Sequence, residues 1–151
     1  MAYWLMKSEP DVFGWPDLVN KPVEEWHGVR SYAARNNMRA MQLGDRCFFY
    51  HSNIGKEIVG IMKVVRLAHP DSTAELKDGK VVWECVDVAA DIPLKEPVTL
   101  DRIKAEPRLA KMILNHRYQG APWALTVIDG GYLLGVTIVQ GAVIGLCGLF
   151  T

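Results

Sequence analysis

The segment from Gly44 to Arg66 limits the possible folds more than any other part of the chain. Gly44-Asp45 is a turn signal. It launches Arg46-Cys47-Phe48-Phe49-Tyr50-His51-Ser52, whose centre is β-prone. Asn53 to Lys56, with Gly55, forms a loop, and Glu57 to Arg66 makes the next strand. The pair predicts an antiparallel hairpin. Strand neighbours point to opposite faces, so Phe48 and Phe49 are expected one in the core and one outside. Gly60 predicts a bulge or a close backbone approach.

The remaining elements are arranged around this hairpin. Tyr3 to Met6 reads as a buried strand that brings Lys7 and Ser8 to its end, closed by Glu9-Pro10. Asp11 is expected to cap a short helix through Asp17-Leu18-Val19. Pro22 and Glu24-Glu25 make a loop, and helix-compatible residues begin at Tyr32. His69 to Thr73 is a loop and Lys77-Asp78-Gly79-Lys80 a turn. Val81 to Val88 predicts a strand with both faces partly covered. Ile92 to Val98, interrupted by Pro93 and Pro97, predicts an edge or a loop. Thr99 caps a short helix that ends at Glu106-Pro107, and Arg108 to Leu114 can form another turn or two.

The last stretch differs in kind. From Leu114 to Thr151 the only formal charges are Arg117 and Asp129, and Gly141 and Gly145 stand in GxxxG spacing. Three readings stay open: short strands at Trp123–Ile128 and Leu133–Val139 linked by glycine turns, a tail anchor, or a tail foreign to the original fold. The domain reading is therefore a core over 1–113 and an atypical apolar, glycine-rich segment over 114–151 that could complete the fold.

Composition bounds the function. The 151 residues carry 17 Lys+Arg and 17 Asp+Glu, which argues against a broad basic surface for gripping long nucleic acid. A pocket with a few local cations remains compatible with that balance. Cys47, Cys85 and Cys147 are odd in number and far apart, which predicts a reducing, cytoplasmic setting. The N-terminus lacks the basic region of a signal peptide.

The chemistry concentrates between Trp26 and Met41, where Arg30, Arg35, Arg39, Asn36, Asn37, Tyr32 and Trp26 fall together. Planar multi-donor groups beside aromatic rings suit a nucleobase with its phosphates. Arg35 and Arg39, four apart, share a helix face, with Asn36 on another. A solvated amphipathic helix is the plainer alternative. No enzyme pattern competes: Pro70-Asp71 with Glu75-Leu76-Lys77 mimics a nuclease motif but is too short and lies in a loop. Cys47 and His51 lack a third metal ligand.

Three stretches together resemble the EVE domain family: Tyr3-Trp4-Leu5-Met6-Lys7-Ser8-Glu9-Pro10, Trp26-x-Gly28-Val29-Arg30-x-Tyr32-x-Ala34-Arg35-Asn36, and Gly44-Asp45-x-x-Phe48-Phe49-Tyr50-His51-Ser52-Asn53. The resemblance runs to about Ile113. It implies an α+β fold, a PUA-like mixed β-barrel with flanking short helices, related to the YTH and ASCH domains. It also implies a non-catalytic module that reads a modified base, with a 5-methylcytosine-type base in DNA as the main candidate, in an aromatic cage. An RNA-binding or RNA-modification accessory role and a membrane-tethered module are the alternatives.

Carried onto this chain, the expected base-binding residues are Lys7, Ser8, Trp26, Val29, Arg30, Ser31, Tyr32, Arg35, Asn36, Tyr50, His51 and Ser52. Trp26 is the first candidate wall, with Tyr32 and Tyr50 next; Arg30 and Arg35 would hold phosphates or a base edge. Trp4 and Trp83 are assigned to packing. No catalytic residue, metal or cofactor is expected, nucleic acid is the expected partner, and a membrane is not. Two departures stand out. Ser31 and Ala33 occupy positions where the family usually has Asn and Gln, and the glycine-rich run replaces a Ser-Arg-Leu-Ser-Val type strand.

Overall fold

The computed structural model describes residues 3–107 and the backbone of 135–138. In chain order the elements are β1 (Tyr3–Ser8), α1 (Trp15–Val19), β2 (Glu24–Glu25), α2 (Tyr32–Ala40), β3 (Arg46–His51), β4 (Glu57–Pro70), β5 (Glu84–Thr99), α3 (Leu100–Ala105) and β6 (Gly135–Ile138). They form one mixed sheet of order β2-β5-β4-β3-β1-β6. Only β1 and β3 pair in parallel among the described strands. A parallel pair needs a long crossover, and here α1, β2 and α2 supply it. The α+β class is as expected. The pairing has edges at β2 and β6 and does not include a ladder that closes a barrel among the described residues. β6 falls within the expected strand Leu133–Val139. The helical turns expected over Arg108–Leu114, the strand over Trp123–Ile128 and most of the 114–151 segment lie outside the described residues.

Alternation along the central strands divides the interior in two. Trp4, Met6, Cys47 and Phe49 face one way and pack with Leu18 of α1, Ala34 and Met38 of α2, and Trp26. Leu5, Phe48 and Tyr50 face the other way and pack with Leu100 and Ile103 of α3. Phe48 and Phe49 are therefore both fully buried, against the expectation of one in and one out. The reason is that helices cover both faces of the sheet, so alternation selects between two cores rather than between core and solvent.

Several local expectations are met by identifiable devices. Gly44 adopts φ +83 at the turn into β3, a conformation glycine takes at no steric cost. Gly60 does both things expected of it. The β3–β4 register shifts between Phe49 and Tyr50, opposite Gly60 and Ile58. A Cβ on Gly60 would also lie 2.4 Å from the Trp15 ring. Thr99 caps α3 by accepting from Arg102 N–H at 3.3 Å. β5 continues through Pro93 and Pro97. This is tolerated because β2 covers only Asp87 and Val88, leaving the outer side of the proline stretch as an edge.

Other expectations change. β4 continues past Arg66 to Pro70, so His69 and Pro70 are strand rather than loop, held by pairing with Cys85 and Glu84. β5 begins at Glu84 rather than Val81. Glu24 and Glu25 are a two-residue strand on β5 rather than a loop. Gly14, not Asp11, is the N-cap of α1, and its N–H donates to Asp17 Oδ2 at 2.7 Å. A carboxylate three residues inside the helix reaches back to the cap amide more easily than Asp11 can reach forward.

Candidate functional site

β1 and β3 run in parallel and in register, so Lys7 lies beside Tyr50 and Ser8 beside His51. Ser52 N–H donates to Ser8 O at 2.9 Å and extends that pairing past the strand end. Ser8 Oγ donates to Phe13 O at 2.8 Å, which turns the following chain back over the same end. Trp15 N–H then donates to His51 Nε2 at 3.0 Å. The His51 ring therefore presents a lone pair at Nε2 and is neutral in this bond. Burial lowers its pKa below the ordinary histidine value, and Glu57 only partly opposes that.

An aromatic cluster fills the space behind this end. Phe49 is its hub, with ring centroids 5.7 Å from Trp15, 5.6 Å from Trp26, 6.3 Å from Phe13 and 5.5 Å from His51. Most of these contacts are edge-to-face, the arrangement aromatic quadrupoles favour. Trp26 is 2% exposed, so its indole is a core element rather than an open wall. Its Nε1 is buried and has no hydrogen-bond partner among the described residues. The same holds for Ser52 Oγ. An unsatisfied buried polar group costs about 1–3 kcal/mol, so these two atoms stand out among the buried side chains of the described residues.

A second group of rings and cations lies at the start of α2. Tyr32 and Trp83 stack with centroids 4.9 Å apart at 34°. Arg35 sits 4.9 Å over the Tyr32 ring and Arg30 5.8 Å from the Trp83 ring. Tyr32 is 55% exposed. Trp83, assigned to packing from the sequence, belongs to this half-open group instead. Arg35 Nη1 donates to Val82 O at 2.9 Å and its other nitrogens reach Asn36 Oδ1. Arg39 pairs with Glu84. The Arg35–Arg39 face thus docks α2 on the approach to β5.

Asp71 organises the loop between the two groups. It accepts from Gly28 N–H at 2.8 Å, Arg30 Nη1 at 2.7 Å, and Thr73 N–H and Oγ1 at 2.7 and 2.6 Å. Burial alone would raise its pKa; the Thr73, Arg30 and Gly28 bonds outweigh that and hold it down at about 2. Arg30 is thereby oriented by a carboxylate 41 residues away.

The structure does not bring all the expected residues to one place. Ser8, His51 and Ser52 lie at the shared end of β1 and β3, and Trp26 packs against Phe49 on the His51 side of the sheet. Val29 is buried in the same core. Tyr50 packs in the opposite core, and alternation along β1 puts Lys7, itself buried, on that opposite side too. Arg30, Tyr32, Arg35 and Asn36 belong to the outer group. Ser31 accepts from Ala34 N–H at 3.4 Å as the N-cap of α2, a structural use of the hydroxyl. Phe13, Trp15, Trp83 and Asp71 were not expected at the site from the sequence. Gly60 was the one available signal for Trp15, as a backbone that leaves room for a ring. Nothing local marks Asp71 as the partner of positions 28 and 30.

Comparison with known proteins agrees with this architecture. The EVE domain family model matches residues 2–122. Mouse thymocyte nuclear protein 1 is 40% identical over 124 residues, 68% of this chain and 55% of its own length. The chain thus spans about half the length of that curated relative. A crystal structure of a protein from Agrobacterium tumefaciens is 41% identical, with a TM-score of 0.80 over 99% of this chain and 92% of that one. Human THYN1 protein, crystallised in complex with 5-methylcytosine-containing DNA, is 29% identical with a TM-score of 0.76, covering 99% and 97%. An ASCH structure from Zymomonas mobilis, 11% identical with a TM-score of 0.53, shares the fold alone. Sequence motifs, sheet order and these likenesses converge on one statement: the chain belongs to the EVE domain family.

Proposed function

We propose that this chain is a non-catalytic nucleic-acid-binding module that reads a modified base of the 5-methylcytosine type in DNA. The observation that carries the reading is the buried, unpartnered Trp26 Nε1–H, in a relative of a human protein crystallised on 5-methylcytosine DNA. A pyrimidine edge offers carbonyl and ring-nitrogen acceptors. One of these would satisfy Trp26 Nε1, and Ser52 Oγ could donate to another or accept from an exocyclic amine. Trp15, half-buried over Phe49 and held by His51, is the ring best placed to cover an inserted base. Base–aromatic stacking is worth about 1–3 kcal/mol. The exposed Tyr32–Trp83 stack, with Arg30 and Arg35, suits a flanking base and the phosphate backbone.

Fluorescence polarisation with matched oligonucleotides, single- and double-stranded, tests the reading. The expected result is at least about fivefold tighter binding to one 5-methylcytosine than to cytosine, roughly the low end of a stacking gain. Trp26→Phe keeps a ring in the core and deletes the Nε1 donor, so it should lower that preference more than thermal stability. Trp26→Ala is less informative, because emptying a buried tryptophan site costs about 3–5 kcal/mol in folding. Equal binding to modified and unmodified DNA would overturn the assignment. A preference confined to RNA would replace DNA by RNA as the partner.

A further inference from the structure

Four metal-capable side chains meet where β2, β4 and β5 lie side by side, next to the Asp71 loop. Glu25 is the register partner of Asp87, and His69 of Cys85. Cys85 and Asp87 are two residues apart on β5, so the pleat sends both to one face. Cross-strand partners share that face. The strand pairing, with its β4 irregularity between Arg66 and His69, therefore brings all four residues to one side of the sheet.

The donor atoms of Glu25, His69 and Cys85 have already converged, and Asp87, which also lies 3.7 Å from Arg66, joins them through His69. Cys85 Sγ is 3.3 Å from Glu25 Oε1 and 4.0 Å from His69 Nε2, and His69 Nε2 is 2.7 Å from Asp87 Oδ1. The ligand atoms of Glu25, His69 and Cys85 all lie within 4.8 Å of one another. Zinc–sulfur and zinc–nitrogen bonds of about 2.3 and 2.0 Å at tetrahedral angles put donors roughly 3.5 Å apart. The surrounding groups suit the same purpose. His69 Nδ1 lies 3.1 Å from Pro70 O, so an Nδ1–H bond there frees the Nε2 lone pair for a metal once the proton Nε2 shares with Asp87 Oδ1 is released. Ser72 N–H and Oγ–H donate to the two Glu25 oxygens at 2.8 and 2.9 Å and fix that carboxylate.

We propose that Glu25, His69 and Cys85, with Asp87 in the fourth position, form a binding site for a divalent transition metal of the zinc class. Thiolate and imidazole donors select against magnesium and calcium, and two carboxylates select against copper(I). On binding, the Cys85 S–H bond breaks heterolytically, the proton that His69 Nε2 shares with Asp87 Oδ1 leaves with it to solvent, and the freed thiolate and imidazole lone pairs form the metal–sulfur and metal–nitrogen bonds. The donors then carry three negative charges against the two of the cation. Four protein ligands make a closed, structural site. Its effect falls on β2, which runs directly into Trp26 and the Gly28–Arg30 loop. The inference does not depend on which nucleic acid the chain binds.

The full chain, stripped of metal, is titrated with cobalt(II). The expected result is one equivalent bound with tetrahedral visible bands and a near-ultraviolet thiolate-to-cobalt band. Zinc should displace the cobalt and raise Tm. Cys85→Ser should abolish the thiolate band, whereas Cys47→Ser and Cys147→Ser should retain it. His69→Gln should weaken cobalt binding by about tenfold or more. Absence of the thiolate band in the parent, or its survival in Cys85→Ser, would overturn the proposal. If circular dichroism shows Cys85→Ser unfolded, His69→Gln decides: unchanged cobalt affinity there overturns it equally.

Discussion

His51 links pH to the candidate site through one bond. Its Nε2 accepts from the Trp15 amide, so protonating the ring removes the acceptor. The folded pKa is lowered from the ordinary 6.5. The unfolded chain therefore takes up the proton first as pH falls, and this contribution to stability is present above 6.5 and lost below it. Between about pH 7 and 5 the parent Tm should fall more than that of His51→Gln, which does not titrate. Heteronuclear NMR should show the Trp15 amide moving with the His51 titration. Asp71 gives a second case at the same scale. Asp71→Ala strands Gly28 N–H and unpairs Arg30, and each buried orphan costs about 1–3 kcal/mol. Chemical denaturation should show a loss in that range. Because the Asp71 pKa is held at about 2 against an ordinary 3.8, its contribution is complete above 3.8 and disappears as pH falls through 2.

Helix caps and one glycine contact govern the elements. Thr99→Ala should cost about 1 kcal/mol through loss of the α3 cap, measured by urea denaturation. Ser31→Ala should cost α2 a similar amount, and Ser31→Asn should be nearly neutral, since asparagine caps as well as serine. Gly60→Ala drives a methyl group into the Trp15 indole, which lies 2.4 Å from the Cβ position. Overpacking of that kind costs about 1–3 kcal/mol. If Trp15 covers the base, Gly60→Ala should also weaken oligonucleotide binding, read by the same polarisation assay. Thr99 and Gly60 were legible beforehand because each device is local, a hydroxyl before a helix or a glycine inside a strand; Ser31 was expected at the base and caps α2 instead.

At the level of the whole molecule, charge balance sets how nucleic acid can be held. The net charge is zero, so the attraction must come from a few placed cations rather than a field. With Arg30 and Arg35 as the phosphate contacts, log K should fall with log[salt] at a slope of about −2 or shallower, roughly 0.9 per phosphate neutralised. A much steeper slope, measured by polarisation across a salt series, would require a basic surface the composition does not supply. No helix among the described residues is long and apolar enough to cross a membrane.

The amino-acid sequence by itself determined the hairpin, the first strand, the α2 and α3 starts and the family resemblance. Period-two patterning, turn glycines and caps act over a handful of residues, and a reader can see them without coordinates. Tertiary structure alone decided which residues meet. Tyr50 and Trp26 share the expected site list but face opposite cores. Trp15 enters through Gly60, 45 positions along by number, and Asp71 reaches back to Gly28 across 43. Glu25, His69 and Cys85 come together only because β2, β4 and β5 pair in one register. A one-residue slip would turn each of them to the other face, and nothing near any one of them in the chain specifies that register.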